Sequence, residues 1–179
     1  MALPYEAELK EKMRATWYDE KYKFYHNSWH DDINLKMDDW HKLSFVSVDS
    51  DDKVIGFINF EVDRITNSVC NVSIINFTND KTIFGLDLHR AFNDMFIKFN
   101  FNKINFSVVC GNPIESSYDR AVKRYGGRIV GYHKAHTRLI DNKLYDTKHY
   151  EIMREDYIRE FLGQNTSKFL NERGGIYEG

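Results

Sequence analysis

The chain has 179 residues, 42% hydrophobic and 29% charged, the profile of one ordinary globular domain long enough to bury a core without disulfides. An aromatic content of 15% argues against a disordered chain, and a formal net charge of −2 argues against a nucleic-acid coat. No apolar run reaches the roughly 18 residues a membrane helix needs, and residues 1–6 lack the basic and apolar regions of a secretory signal, so a cytoplasmic protein with no membrane partner is expected.

Residues 5–30 read as helical, with Leu9, Met13 and Trp17 as an apolar stripe and Glu6, Glu8, Lys10, Glu11 and Lys12 as a solvated face. Aromatics then crowd together: Trp17, Tyr18, Tyr22, Phe24, Tyr25, Trp29 and Trp40. Two readings stay open for them, packing of a helix on a sheet and lining of a substrate cleft. His26 and His30 are four apart and are followed by Asp31 and Asp32. That spacing suits a metal on one helix face, but no third ligand is identifiable and no metal is expected.

From residue 43 the texture becomes β. Segments 43–48, 54–62 and 69–77 read as an antiparallel meander, with polar turns at Asp49-Ser50-Asp51-Asp52 and Arg64-Ile65-Thr66-Asn67. A helix follows, with Leu88, Phe92, Met95, Phe96 and Phe99 on one face and Asn79 or Asp80 as N-cap. Segment 104–109 is the next strand. A strand, a helix and a strand in succession form a right-handed crossover between parallel strands. Asn112 as N-cap, Pro113 at the first helical position and Glu115 completing a capping box start another helix, which Gly126-Gly127 ends. Segments 128–140 and 144–153 form a closing hairpin about Asp141-Asn142. A helical piece at 157–162 then leads into a polar tail. The fold class is therefore α+β: a mixed, mostly antiparallel sheet with a central parallel pair and flanking helices. The expected organisation is one domain over 1–156, with 1–42 as a helical segment, and a tail over 157–179.

Cys70 and Cys110 both lie in β-like apolar stretches and read as buried free thiols of a reducing compartment. Residues 1–63 carry 14 acidic and 8 basic side chains, and residues 64–179 carry 13 acidic and 17 basic. The acidic front half suits a cationic partner and the basic rear half an anionic one. Histidines 41, 89, 133, 136 and 149 form no Ser-His-Asp or Cys-His arrangement in the sequence.

The segment entering the first crossover helix, Thr78-Asn79-Asp80-Lys81-Thr82-Ile83-Phe84-Gly85, presents backbone N–H groups and the positive end of a helix dipole, an anion site suited to a pyrophosphate. Together with the strand before it, the segment Asn102-Lys103-Ile104-Asn105-Phe106-Ser107-Val108, Gly111-Asn112 and the helix ending at Tyr125-Gly126-Gly127, it resembles the GNAT superfamily of acetyl-CoA-dependent N-acyltransferases. The resemblance covers about residues 43–156. The family's phosphate loop reads Arg/Gln-x-x-Gly-x-Gly/Ala; here the corresponding register is Asn79-x-x-Thr82-x-Phe84, with a single glycine at Gly85.

The resemblance implies acetyl-CoA as cosubstrate, no metal, and a primary amine of a small molecule or protein as acceptor, with a homodimer left open. It implies that two parallel strands splay and admit the pantetheine arm. Ile74, Ile75 and Phe77 would pair with that arm, and a bulge at Ile74-Ile75 would free an N–H to polarise the thioester carbonyl. Lys81, Thr82, Ile83, Phe84 and Gly85 would hold the phosphates. Asn112 would reach the pantetheine amide, unless its side chain is spent on the helix cap. Tyr118 would protonate the leaving thiolate, and Glu61 or Asp63 would take the proton of the amine. The alternative function is a non-catalytic GNAT-like binding or assembly module, which the altered phosphate loop motivates.

Overall fold

A computed structural model describes residues 2–25, 32–36, 39–79, 81–161 and 163. Six strands form one sheet in the order β1-β2-β3-β4-β6-β5. They are β1 (Lys42–Val48), β2 (Val54–Asp63), β3 (Ser68–Asn76), β4 (Lys103–Val109), β5 (Arg128–Arg138) and β6 (Leu144–Met153). The helices are α1 (Glu6–Ala15), α2 (Thr82–Ile97), α3 (Glu115–Arg124) and a last helix, α4, over 154–161. All neighbours pair antiparallel except β3 and β4, which lie at the centre and run parallel. This is the expected α+β class.

Both faces of the β1–β3 half of the sheet are covered, whereas β5 is mostly exposed. Phe60, Ile104, Phe106, Tyr150 and Ile152 pack beneath α2, α3 and α4 in the main core. Val54, Phe57 and Ile75 pack against Leu9 and Met13 of α1 in a smaller second core. Phe60 anchors the first, meeting Phe45 and Phe92 edge to face at 6.0 and 5.4 Å, each contact worth about 0.5–1.5 kcal/mol beyond area burial. The chain crosses into α4 directly after β6, and Tyr157 stacks on Phe96 at 4.6 Å within the main core.

Several local expectations are corrected. The first helix stops at Ala15 rather than running to residue 30: the Thr16 hydroxyl donates to the Met13 carbonyl, and Tyr18 has φ 60°, which no helix continues through. His26, Trp29, His30 and Asp31 lie outside the described residues; Asp32 is paired with Arg14 at 2.6 Å. Lys81 caps α2 without a side-chain bond, in place of Asn79, while Asp80 lies outside the described residues. Asn112 sits ahead of the cap rather than at it: its Oδ1 accepts from the Ile114 N–H at 3.1 Å, and Glu115 accepts from the Gly111 N–H. Neither cysteine is buried; Cys70 is exposed and Cys110 intermediate, both as free thiols. The C-terminus of α3 follows the reading, with Gly126 at φ 71° and the Gly127 N–H returning to the Val122 carbonyl at 2.8 Å.

Candidate active site

The parallel pair is the feature that makes a site. β3 and β4 are joined only at Ser68↔Lys103 and Val69↔Ile104. Beyond that, β3 stays paired to β2 as far as Asn76, and β4 stays paired to β6 as far as Val109, so the two halves of the sheet diverge. The bulge that accompanies the divergence is at Cys70, because Glu61 faces Asn71 while Val62 faces Val69. An extra residue bends its strand and increases local twist. The bulge expected at Ile74-Ile75 is absent: these residues face Ile58 and Phe57 in regular register. Their consecutive apolar character arises because Ile74 packs on the main core and Ile75 in the second one.

A cleft of about 1660 Å³ takes in the gap between residues 71–76 of β3 and 107–109 of β4 and extends along residues 20–25, 32–36 and 42–44. The first turns of α2 and α3 border it, and Tyr22, Phe24 and Tyr25 cover part of it. Of the residues singled out in the sequence, Glu61, Ile74, Ile75, Lys81, Phe84, Gly85, Asn112 and Tyr118 line this cleft. Thr82 and Ile83 belong to the first turn of α2 but do not line it, and Phe77 turns into the second core, where its carbonyl accepts from the Tyr22 hydroxyl at 3.3 Å. Asp63 is occupied as a turn residue, accepting from the Ile65 and Thr66 N–H groups and from the Thr66 hydroxyl. Those bonds, the Thr66 side chain first, hold its carboxyl below the usual range.

The start of α2 explains how a loop with bulky residues remains open. Phe84 is only 7% exposed and folds its ring over Gly56 of β2, where no side chain stands in the way. Gly85, the next residue, faces open space: a Cβ built there meets nothing within 4 Å. The positive end of a 16-residue helix, with Lys81 beside it, therefore borders the cleft.

Tyr118 is half-buried on α3, edge-on to Phe106 at 5.6 Å and to Tyr150 at 6.4 Å. Burial, and then Tyr25 facing it, raise its phenol well above the usual tyrosine range, so it is protonated at any working pH. The next residue, Asp119, is held in a clamp. Lys148, 5% exposed, donates to Asp119 at 2.7 Å and to Glu115 at 3.3 Å, and the Tyr150 hydroxyl donates to Asp119 at 2.8 Å. Burial pulls the Lys148 ammonium down, but its bonds to Asp119 and Glu115 outweigh that and hold it above the ordinary lysine range. This network was not legible in the sequence, since nothing in the spacing of 115, 119 and 148 marks them as neighbours. Glu61, across the cleft on β2, accepts from the Asn71 amide at 3.4 Å and lies 3.9 Å from Lys42.

A six-stranded mixed sheet whose central parallel pair splays, with a helix start at the opening, is a GNAT-like fold. Among solved structures, the chain is similar to the spermidine/spermine N-acetyltransferase SpeG from Vibrio cholerae, with TM-score 0.58 and 22% identity over 68% of this chain and 70% of that one. A chimera of the same enzyme with hSSAT aligns with TM-score 0.57 and 23% identity over 67% of this chain and 71% of that one. No family model matches the chain, and no curated protein matches it in sequence.

Proposed function

We propose that this protein transfers an acetyl group from acetyl-CoA to a primary amine, using the cleft between β3 and β4. The observation that carries this reading is that β3–β4 pairing ends after two residue pairs and leaves the inner edge of β3 facing the cleft. The residues present suit the cofactor: a strand edge for an amide-bearing arm, and a helix start with Lys81 and an unobstructed Gly85 for phosphates. Acetyl-CoA supplies an acyl group activated as a thioester.

The chain's own residues would then do the following. The backbone around Ile74 and Ile75 orients the arm by main-chain hydrogen bonds. Lys81, Phe84 and Gly85, with Thr82 and Ile83 completing the same helical turn, form the phosphate end. Asn112 keeps its oxygen on the Ile114 N–H, so only its amide N–H groups serve a ligand. Tyr118 Oη holds a proton and offers it inside the cleft, where a leaving thiolate needs one. Glu61 accepts the proton that a cationic amine must lose before it can attack. Positioning supplies most of the rate, with acid and base assistance adding roughly 10²–10⁴-fold. The two similar structures are, by name, enzymes that acetylate spermidine or spermine. That likeness and the acidic front half favour a small cationic amine over a protein acceptor.

The test is to incubate the purified chain with acetyl-CoA and separate panels of polyamines, simple amines and peptides, following free thiol release and product mass. Acetyl-CoA at 100 times its dissociation constant should also add about 2.7 kcal/mol of stability. Acetylated amine together with a thermal shift supports the reading. A shift without product on any panel favours the binding module, and neither shift nor product refutes the cofactor site.

A further inference from the structure

A second cluster lies outside the residues assigned above. His133 and His136 on β5 and His149 on β6 bring one ring nitrogen each to within 4.8 Å of one another. The rings are close: 4.3 Å between His133 and His149, 5.0 Å between His133 and His136, and 6.1 Å between His136 and His149. Three imidazoles crowded this way repel one another once protonated.

The backbone shows how they meet. In a regular strand, residues three apart point to opposite faces. Between His133↔Thr147 and Thr137↔Tyr145, β5 advances four residues while β6 advances two. This double bulge contains Ala135 at φ 48°, a conformation unfavourable for a residue with a Cβ by roughly 1–2 kcal/mol. The Asp146 carboxylate holds it there by accepting from the Ala135 N–H at 2.8 Å. The distortion carries His136 round to the side of His133. Opposite His149 stands Gly131, which places no side chain beside the cluster.

Thr147 completes the arrangement. Its hydroxyl, buried to 4% exposure, lies 3.1 Å from Nδ1 of His136 and 3.1 Å from Nε2 of His149. One hydroxyl thus holds two rings, as outer partners of metal-bound histidines do.

We propose that His133, His136 and His149 bind one divalent transition-metal ion of the zinc class, with a fourth position left to water. Imidazole nitrogens without carboxylate or thiolate suit zinc, copper and nickel and exclude magnesium and calcium. Tetrahedral zinc with Zn–N near 2.05 Å places ligand nitrogens about 3.3 Å apart, against the 4.8 Å within which one nitrogen of each ring already lies. The ion would tie the bulge of edge strand β5 to β6. It would stand where the cleft, which His136 and Thr147 line, meets a smaller hollow of about 570 Å³ that His133 and His149 line.

The test uses the full chain without a polyhistidine tag, stripped of metal by a chelator. Zinc is titrated calorimetrically against a competing chelator, and cobalt is followed by its visible d–d absorption. The expected result is one zinc per chain, a tetrahedral-type cobalt spectrum that zinc abolishes, and no competition from magnesium. His149→Ala and His133→Ala should each weaken zinc at least about 100-fold, and Thr147→Val about tenfold, the loss typical of an outer partner. His149→Gln, which preserves size and polarity, separates ligand loss from misfolding, and the circular dichroism of each metal-free variant confirms its fold. Absence of stoichiometric zinc binding overturns the proposal, as does equal binding by the folded His149→Gln variant. The readout is metal binding alone, so it stands or falls independently of acetyl transfer.

Discussion

Gly56→Ala tests how the start of α2 is held beside the cleft. A Cβ at residue 56 would fall inside the van der Waals envelope of Phe84 Cδ2 and Cε2, and 3.0 Å from the Ile75 carbonyl oxygen. The carbonyl belongs to a paired strand and cannot retreat, so the ring must move. Phe84 is packed in the main core and borders the cleft, so displacing its ring disturbs both. Overpacking of this kind costs about 1–3 kcal/mol, offset by roughly 0.5–1 kcal/mol from the lower entropy of the unfolded chain when glycine becomes alanine. A net loss of about 1–2 kcal/mol is expected. Phe84→Ala alone should cost roughly 3 kcal/mol, the low end for a buried phenylalanine because the vacated space opens on the cleft. In that background Gly56→Ala should be neutral or stabilising, a coupling of at least about 1 kcal/mol. Urea unfolding with an unchanged m-value measures all four states. An equal cost of Gly56→Ala in both backgrounds would refute the reasoning.

Three further outcomes are expected. Lys148→Met should destabilise by about 1–3 kcal/mol in urea, since it strips Asp119 and Glu115 of their shared cation while Asp119 stays accessible to water. Tyr118→Phe keeps the ring against Phe106, so stability should stay within about 0.5 kcal/mol of the parent while kcat for acetyl transfer falls roughly 10²-fold at unchanged KM. His89 hydrogen-bonds Tyr125 at 3.0 Å, and burial first, then Arg124, hold its pKa below 6.5. Its folded value is depressed, so its stabilising contribution is complete above pH 6.5 and is lost as pH falls through the lower folded value. His149 has the same sign, so His89→Gln should flatten part of the decline in melting temperature below pH 6.5, not all of it.

What the residues reveal on their own depends on how local the physics is. The meander, the crossover and the hairpin about Asn142 follow from alternation and turn chemistry, and each stands close to its expected bounds. The parallel pair follows from a strand, helix and strand in succession. Its divergence does not, because nothing about Cys70 marks it as the extra residue; only family resemblance implied an opening. Ile74-Ile75 misled because two adjacent apolar residues are equally what a sheet covered on both faces requires. The stripe of Leu9, Met13 and Trp17 reads on as one long helix, yet Tyr18 turns the chain and leaves Tyr22, Phe24 and Tyr25 over the cleft. The histidine trio is invisible in sequence for a stricter reason. Spacing of 133 and 136 in a strand places them on opposite faces, and only the strained Ala135 brings them together.

Amide hydrogen exchange on the chain, with and without saturating acetyl-CoA, tests the cleft most directly. If the inner edge of β3 grips the cofactor, the amides over 71–76 that face β4 should slow markedly, with the first turn of α2, while β1 stays unchanged. Full exchange at those β3 amides under saturating cofactor, or protection confined to another surface, would contradict the account.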